Sequence, residues 1–273
     1  MTRPTRSLLA SVFLLLSACA REAQAPAART LTVFAAASLV EAFGEIEAEL
    51  ERRDTTLDVR LNVAGSQQLA AQLVRGAVAD LFAAADLEAM QLAADRGLVL
   101  EPEIFAHNRL VIIAARAPEV DGVLVELLNL ATPGLKLVLA APEVPAGRYA
   151  RQALRNLSRA PGYGPDFADR VLENVVSDEV DVRSVLTKVR LGEAQAGIVY
   201  ASDVSGPDSV ARREGIRVIP IPAAFNVRAD YVIARLRSVD DSAAADAFRA
   251  LVLGSDGQAI LERYGFEAKG STR

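Results

Sequence analysis

Between Thr30 and Phe266, short unbroken apolar runs alternate with amphipathic stretches, and this alternation limits the chain to an α/β architecture. Residues 31–36, 79–85, 109–115, 135–142 and 196–201 read as strands, several of them apolar at every position. Strands of that kind need cover on both faces, which suggests mainly parallel sheets flanked by helices. Residues 57–64 and 231–236 read as further strands, and 215–222, which carries prolines, as an edge strand. A helix is expected over 41–53, where Phe43, Ile46 and Leu50 recur at helical spacing. Others are expected over 67–75 (closed by Gly76), 87–96 (closed by Gly97), 123–130, 147–156, 182–191, 243–253 and 258–264, with a loop over 159–165. Two such groups, followed by a late strand-helix-helix return, predict two lobes. Lobe 1 would comprise 30–107 and 224–273, and lobe 2 would comprise 108–223, with a ligand cleft between them.

Charge and residue usage narrow the function. With 30 Lys and Arg against 35 Asp and Glu, the net charge of −5 argues against a nucleic-acid partner. It also means that any anion site must work through local dipoles. His107 and Cys19 are single residues of their kinds, which excludes Cys/His zinc sites, CxxC redox chemistry and internal disulfides. His107 reads as a surface or hinge residue.

The chain's start differs from the rest. Arg3 and Arg6 precede an apolar run over 8–16, too short for a stable membrane anchor but suited to a secretory signal. The sequence Leu16-Ser17-Ala18-Cys19 is similar to the lipobox of bacterial lipoproteins. That resemblance implies a signal peptide over 1–18 and a lipidated Cys19 holding the protein on a membrane. Residues 19–29, rich in Ala with Gln and Pro, then form a tether. The plainer alternative is an ordinary signal peptide with an incidental cysteine.

Four strand-to-helix junctions share one pattern. Ser38 follows a strand and precedes a helix, and Ser66 does the same after Gly65. Pro145, Ala146 and Gly147 precede a third helix, and Asp181 is placed to cap a fourth that opens at Val182. Helix starts present unpaired N–H groups and the positive end of the helix dipole, so several aimed into one cleft can hold an anion without a charged side chain. Each junction taken alone reads equally well as a simple helix cap.

Taken together, the segments carry more. "VFAAASL" (33–39), "AGSQQLA" (64–70), "GAVADLFAAAD" (76–86), "VPAGRYARQAL" (144–154), "DVRSVL" (181–186) and "GIVYASD" (197–203) occur in one order, and the chain closes on "ILERYGF" (260–266). In that order and spacing the chain resembles the periplasmic molybdate-binding proteins of ABC transporters, a type II periplasmic-binding-protein family, over nearly all of 30–266. The resemblance implies a two-lobed α/β fold and an oxoanion, molybdate or tungstate, held between the lobes. Carried over by motif, the ligand would be bound by the hydroxyls of Ser38 and Ser66, the amides of Ala146 and Val182, and the phenol of Tyr200. It implies no cofactor and no free metal cation, since the metal arrives as an oxoanion. It also implies a permease partner, a periplasmic or cell-surface location, and a monomer. The chain departs from some relatives at Gly65, where they carry a serine, and at Gln67 and Gln68.

The remaining candidates are assigned around that site. Arg148 and Arg183 are expected to project to the cleft rim, and Asp80 and Asp86 to make structural hydrogen bonds. No GxxxxGK[ST] loop occurs, so ATP would be handled by another chain. Alternatives are a binder of another oxoanion such as sulfate, or a secreted serine hydrolase using Ser38 or Ser66. The hydrolase lacks a GxSxG elbow and has only His107 as a base. A surface interaction lipoprotein would leave the four junctions without a role.

Overall fold

A first sheet is built on β1 (Arg29–Ala36), which pairs in parallel with β2 (Leu57–Ala64) on one side and β3 (Leu81–Ala84) on the other. The computed structural model describes residues 29–270 except 117–119, 121, 125, 208, 210–212, 214 and 239–240. The leader, Cys19 and most of the tether lie outside the described residues.

The next strand beyond β3 is β9 (Arg228–Leu236), which runs antiparallel to it, and β4 (Val99–Ala114) follows, antiparallel to β9. β4 then leaves the first sheet. Its residues up to Arg109 pair with β9, whereas Leu110–Ala114 pair antiparallel with β7 (Ala196–Tyr200) in a second sheet. There β7 and β6 (Val175–Glu179) flank β5 (Leu137–Ala140), all parallel, and β8 (Arg217–Pro220) joins β4 at the edge. A last short strand, β10 (Glu267–Ala268), returns to β4 beside His107. The fold is therefore mixed α/β, with parallel triplets β2-β1-β3 and β6-β5-β7 and antiparallel strands between them.

Helices cover both faces of the first sheet. α1 (Val40–Arg53), α7 (Ser242–Leu253) and α8 (Ser255–Arg263) pack together on one face. There Phe43 meets Phe105 and Phe248 at 5.8 and 5.4 Å between ring centroids. On the other face, α2 (Ser66–Val74) and α3 (Leu87–Asp95) bury Leu69, Leu73 and Met90 against Phe34 and Phe82. The second sheet carries α4 (Pro145–Leu157), α5 (Phe167–Glu173) and α6 (Val182–Arg190). Burying these apolar faces is the main stabilising term, about 1.5–3 kcal/mol for each large aliphatic or aromatic side chain.

The structure departs from the sequence reading at four places. The helix expected over 123–130, of which residue 125 is outside the described residues, is instead a 3-10 turn at Leu127–Ala131. Its N-terminus is closed by reciprocal bonds between Glu126 and Asn129, and Pro133 follows too soon for a longer helix. The stretch after the expected loop forms α5 and β6. β4 begins ten residues before the expected strand, running through Glu101 and Pro102 with two register shifts. Finally, His107 is not at the surface; it is buried with Nδ1 2.7 Å from Asp230 Oδ1, beside the point where β4 changes sheet.

Candidate functional site

The C-terminal ends of the parallel strands in both sheets open on one cavity. Its wall is formed by Ala36–Ser38 after β1, Gly65 and Ser66 after β2, and Ala85 after β3. From the second sheet come Val144–Ala146 after β5, Asp181 and Val182 after β6, and Tyr200 at the end of β7. About 210 Å³ of atom-free space, part of it open to solvent, lies between these walls. All five residues singled out by motif, Ser38, Ser66, Ala146, Val182 and Tyr200, line this one cavity.

Small residues make the approach possible. Ala35, Ala36 and Ala37 lead β1 into a 3-10 turn (Ala37–Leu39), which brings Ser38 to the wall. At Gly65, an added Cβ would stand 2.6 Å from the Gln67 side chain and 2.9 Å from the Val180 carbonyl oxygen of the other half. Glycine therefore lets the two halves meet closely there, which gives the departure from serine at this position a packing reason.

Neither serine acts as a helix cap. Ser38 lies within the 3-10 turn and Ser66 opens α2, and no side-chain cap bond forms at either start. Ser66 Oγ accepts the Ala85 N–H at 2.9 Å, so its proton is free to point elsewhere. Ser38 Oγ lies 2.7 Å from the Tyr231 hydroxyl. Asp181 does cap, taking the Ser184 N–H at 2.8 Å as α6 begins with Val182. Ala146 is the second residue of α4, behind Pro145, which has no N–H to lose. Ala146 and Val182 thus stand in first helical turns, whose amides have no intrahelical acceptor.

Tyr200 brings to the wall a buried polar group in need of a partner. It is 1% exposed, yet its hydroxyl has no hydrogen-bond partner among the described residues. Burial, with the nearby Tyr231 and Tyr149 adding to it, pushes its pKa well above the ordinary tyrosine value. The phenol is therefore protonated near neutral pH and faces the cavity as a neutral donor.

The charged residues surround this cavity without lining it, Asp181 excepted. Arg148 on α4 pairs with Asp86, the cap of α3, and with Glu88 at 3.2 Å. Arg183 on α6 pairs with Glu41 on α1, and Gln67 Nε2 donates to the Val180 carbonyl at 3.1 Å. These links join the first-sheet side to the second-sheet side at the rim, where both arginines were expected. Asp80 accepts the Thr32 N–H at 2.7 Å, and Asp86 the Ala89 N–H at 3.0 Å, both structural roles. The sequence reading missed Tyr231 and Asn108, which stand behind Ser38. Only the apolar run around Tyr231 pointed to a buried strand.

The wall thus gathers neutral donors from both sheets together with one capping carboxylate, Asp181. The bacterial extracellular solute-binding protein family matches residues 31–267. The molybdate-binding protein ModA of Mycobacterium tuberculosis is 38% identical over 240 residues, covering 88% of this chain and 85% of that protein. The solved periplasmic molybdate-binding protein of Azotobacter vinelandii has a TM-score of 0.73 at 19% identity, over 86% of this chain and 98% of that one. The sulfate-binding protein SubI of Mycobacterium tuberculosis has a TM-score of 0.76 at 15% identity, over 88% and 87%. At such identities the two structures show a shared fold alone.

Proposed function

Because the chain belongs to the bacterial extracellular solute-binding protein family, we propose that it is the extracytoplasmic binding component of a molybdate ABC importer. The convergence of Ser38, Ser66, Ala146, Val182 and Tyr200 on one cavity, with the Tyr200 hydroxyl unpartnered, carries this reading. A bare oxoanion offers only acceptors, so its partners must be donors. Each hydrogen bond to an ionised ligand is worth roughly 1.5–3 kcal/mol, and several together offset the removal of the ion from water. Tungstate, nearly the same tetrahedron, would bind as well, whereas the smaller sulfate would not reach every donor at once.

The lobes are assigned as 30–107 with 224–273, and 108–223. Support comes from β4, which changes partners between Arg109 and Leu110, and from β9, which returns to the first sheet at Arg228. Closure of the two around the ion would present a permease with a surface that differs between loaded and empty protein. The protein would act as a monomer, tethered outside the cytoplasmic membrane through a lipid on Cys19. Cys19→Ser should then move it from membranes to the soluble fraction, and retention would point to another anchor.

Thermal unfolding with molybdate, tungstate, sulfate and phosphate tests the ligand. Saturation at a hundredfold above Kd should raise Tm by roughly 5–10 °C for the first two ions only. Equal shifts with sulfate would defeat the assignment. Tyr200→Phe should act in opposite directions on two readouts. Molybdate affinity should fall by about 1–3 kcal/mol through loss of one donor, while the ligand-free protein should be as stable as the wild type or more so, because a buried orphan hydroxyl is gone. Unchanged affinity would place Tyr200 outside the binding set.

A further inference from the structure

Ser38 reaches the cavity as one end of a buried hydrogen-bond chain. Its Oγ is 2.7 Å from Tyr231 Oη, which is 3.5 Å from Asn108 Nδ2, and that nitrogen also donates to Ser202 Oγ at 2.8 Å. Tyr231 and Asn108 are fully buried. The Tyr231 ring is held edge-on by Phe105, Tyr200 and Phe266 at 6.2, 5.8 and 5.2 Å.

The direction of this chain is set at Asn108. Its Oδ1 accepts the Arg109 N–H at 2.9 Å, so a turned amide would set donor against donor. Nδ2 therefore donates toward Tyr231, and the single Tyr231 proton goes the other way, to Ser38 Oγ. Were Ser38 the donor instead, the Tyr231 proton would have no acceptor among the described residues. With one of its two lone pairs filled from behind, Ser38 is left to turn its own proton to the cavity. Ser66 is prepared in the same way by the Ala85 N–H. Asp181, the carboxylate on the wall, is engaged as the cap for the Ser184 N–H.

We propose that Tyr231, held by Asn108, is a positioning residue that keeps Ser38 a donor toward the cleft and so makes the site reject tetrahedral oxoanions that still carry a proton. The inference rests on the oxoanion reading above. A protonated oxoanion brings an O–H that needs an acceptor, and hydroxyls whose protons are turned to the cleft leave it facing another donor. Without the Tyr231 hydroxyl, Ser38 is free to rotate and offer a lone pair.

Titration calorimetry of the purified protein with molybdate and hydrogen arsenate tests this. At about pH 8 both ions are dianions, so the ratio of their Kd values isolates the effect of the proton. The wild type should favour molybdate, and Tyr231→Phe should shift the ratio about tenfold toward hydrogen arsenate. Asn108→Asp should shift it the same way, because an ionised carboxylate draws the Tyr231 proton and reverses the chain, while its added charge cancels in the ratio. In a Ser38→Ala background, Tyr231→Phe should leave the ratio unchanged, since the effect passes through Ser38. An unmoved ratio in both variants, or a shift that survives in Ser38→Ala, overturns the inference while leaving molybdate binding intact. A wild type that binds no molybdate overturns the functional reading and this inference with it.

Discussion

Gly147→Ala is expected to destabilise the protein by roughly 3 kcal/mol, lower Tm by about 10 °C and remove the stabilisation by molybdate. Gly147 is the third residue of α4, where the helix start meets the end of β5. A Cβ there would lie 2.1 Å from the Ala141 carbonyl oxygen and 2.2 Å from that of Ala140. Both obstacles are backbone, so no side chain can swing aside, and the helix must lift from the sheet. Its buried face, with Ala150, Ala153, Leu154 and Leu157, would lose packing, and the Ala146 amide would leave the cavity wall.

Gly44→Ala is the matched control. Gly44 sits inside α1 with nothing within 4 Å of an added Cβ. There the same methyl should stabilise by about 0.5–1 kcal/mol, through the lower backbone entropy of alanine in the unfolded chain. Thermal unfolding of both variants with and without molybdate reads the contrast. A Gly147→Ala protein that melts with the wild type and still responds to molybdate would refute the packing argument.

These contrasts follow what was legible in the sequence. The wall residues were readable because each is a local event: a strand ends, small residues follow, and a helix begins. Ser38, Ser66, Ala146 and Val182 all lie at such joints. The partners that prepare them were not readable, because they arrive by long-range topology. Tyr231 stands 193 residues from Ser38 and meets it only because β9 is inserted between β3 and β4. Asn108 carries no motif; its role comes from its position beside the residue where β4 changes sheet. Weak local signals explain the missed elements too. α5 has only seven residues, and β6 buries little while carrying Ser177, Asp178 and Glu179. Conversely, residues 123–130 had apolar spacing sufficient for a helix, yet the capping pair Glu126 and Asn129 closes only a single 3-10 turn before Pro133.

Below the cavity, one buried carboxylate should make stability fall as pH rises. Asp203 follows Tyr200 in the 3-10 turn Ala201–Val204 and is 3% exposed. Its Oδ2 accepts the Tyr200 N–H at 2.9 Å, while Oδ1 has no hydrogen-bond partner among the described residues. Arg183 stands 3.8 Å away, beyond hydrogen-bond reach, because its guanidinium is drawn to Glu41. Burial pushes the Asp203 carboxyl up to about 7; Arg183 and the Tyr200 amide oppose the rise, and Glu41 and Asp181 add to it. An unfolded aspartate titrates near 3.9, so between these values the native state binds the extra proton. Stability from this group is therefore complete below about pH 4 and is lost by pH 7, on the order of 4 kcal/mol in all. Asp203→Asn retains an oxygen for the Tyr200 amide but cannot ionise. Urea unfolding from pH 4 to pH 8 should find the variant level with the wild type at the acid end and more stable by about that amount at the alkaline end. Two curves that run parallel across the range would show that Asp203 holds its proton no more tightly in the fold than in the open chain.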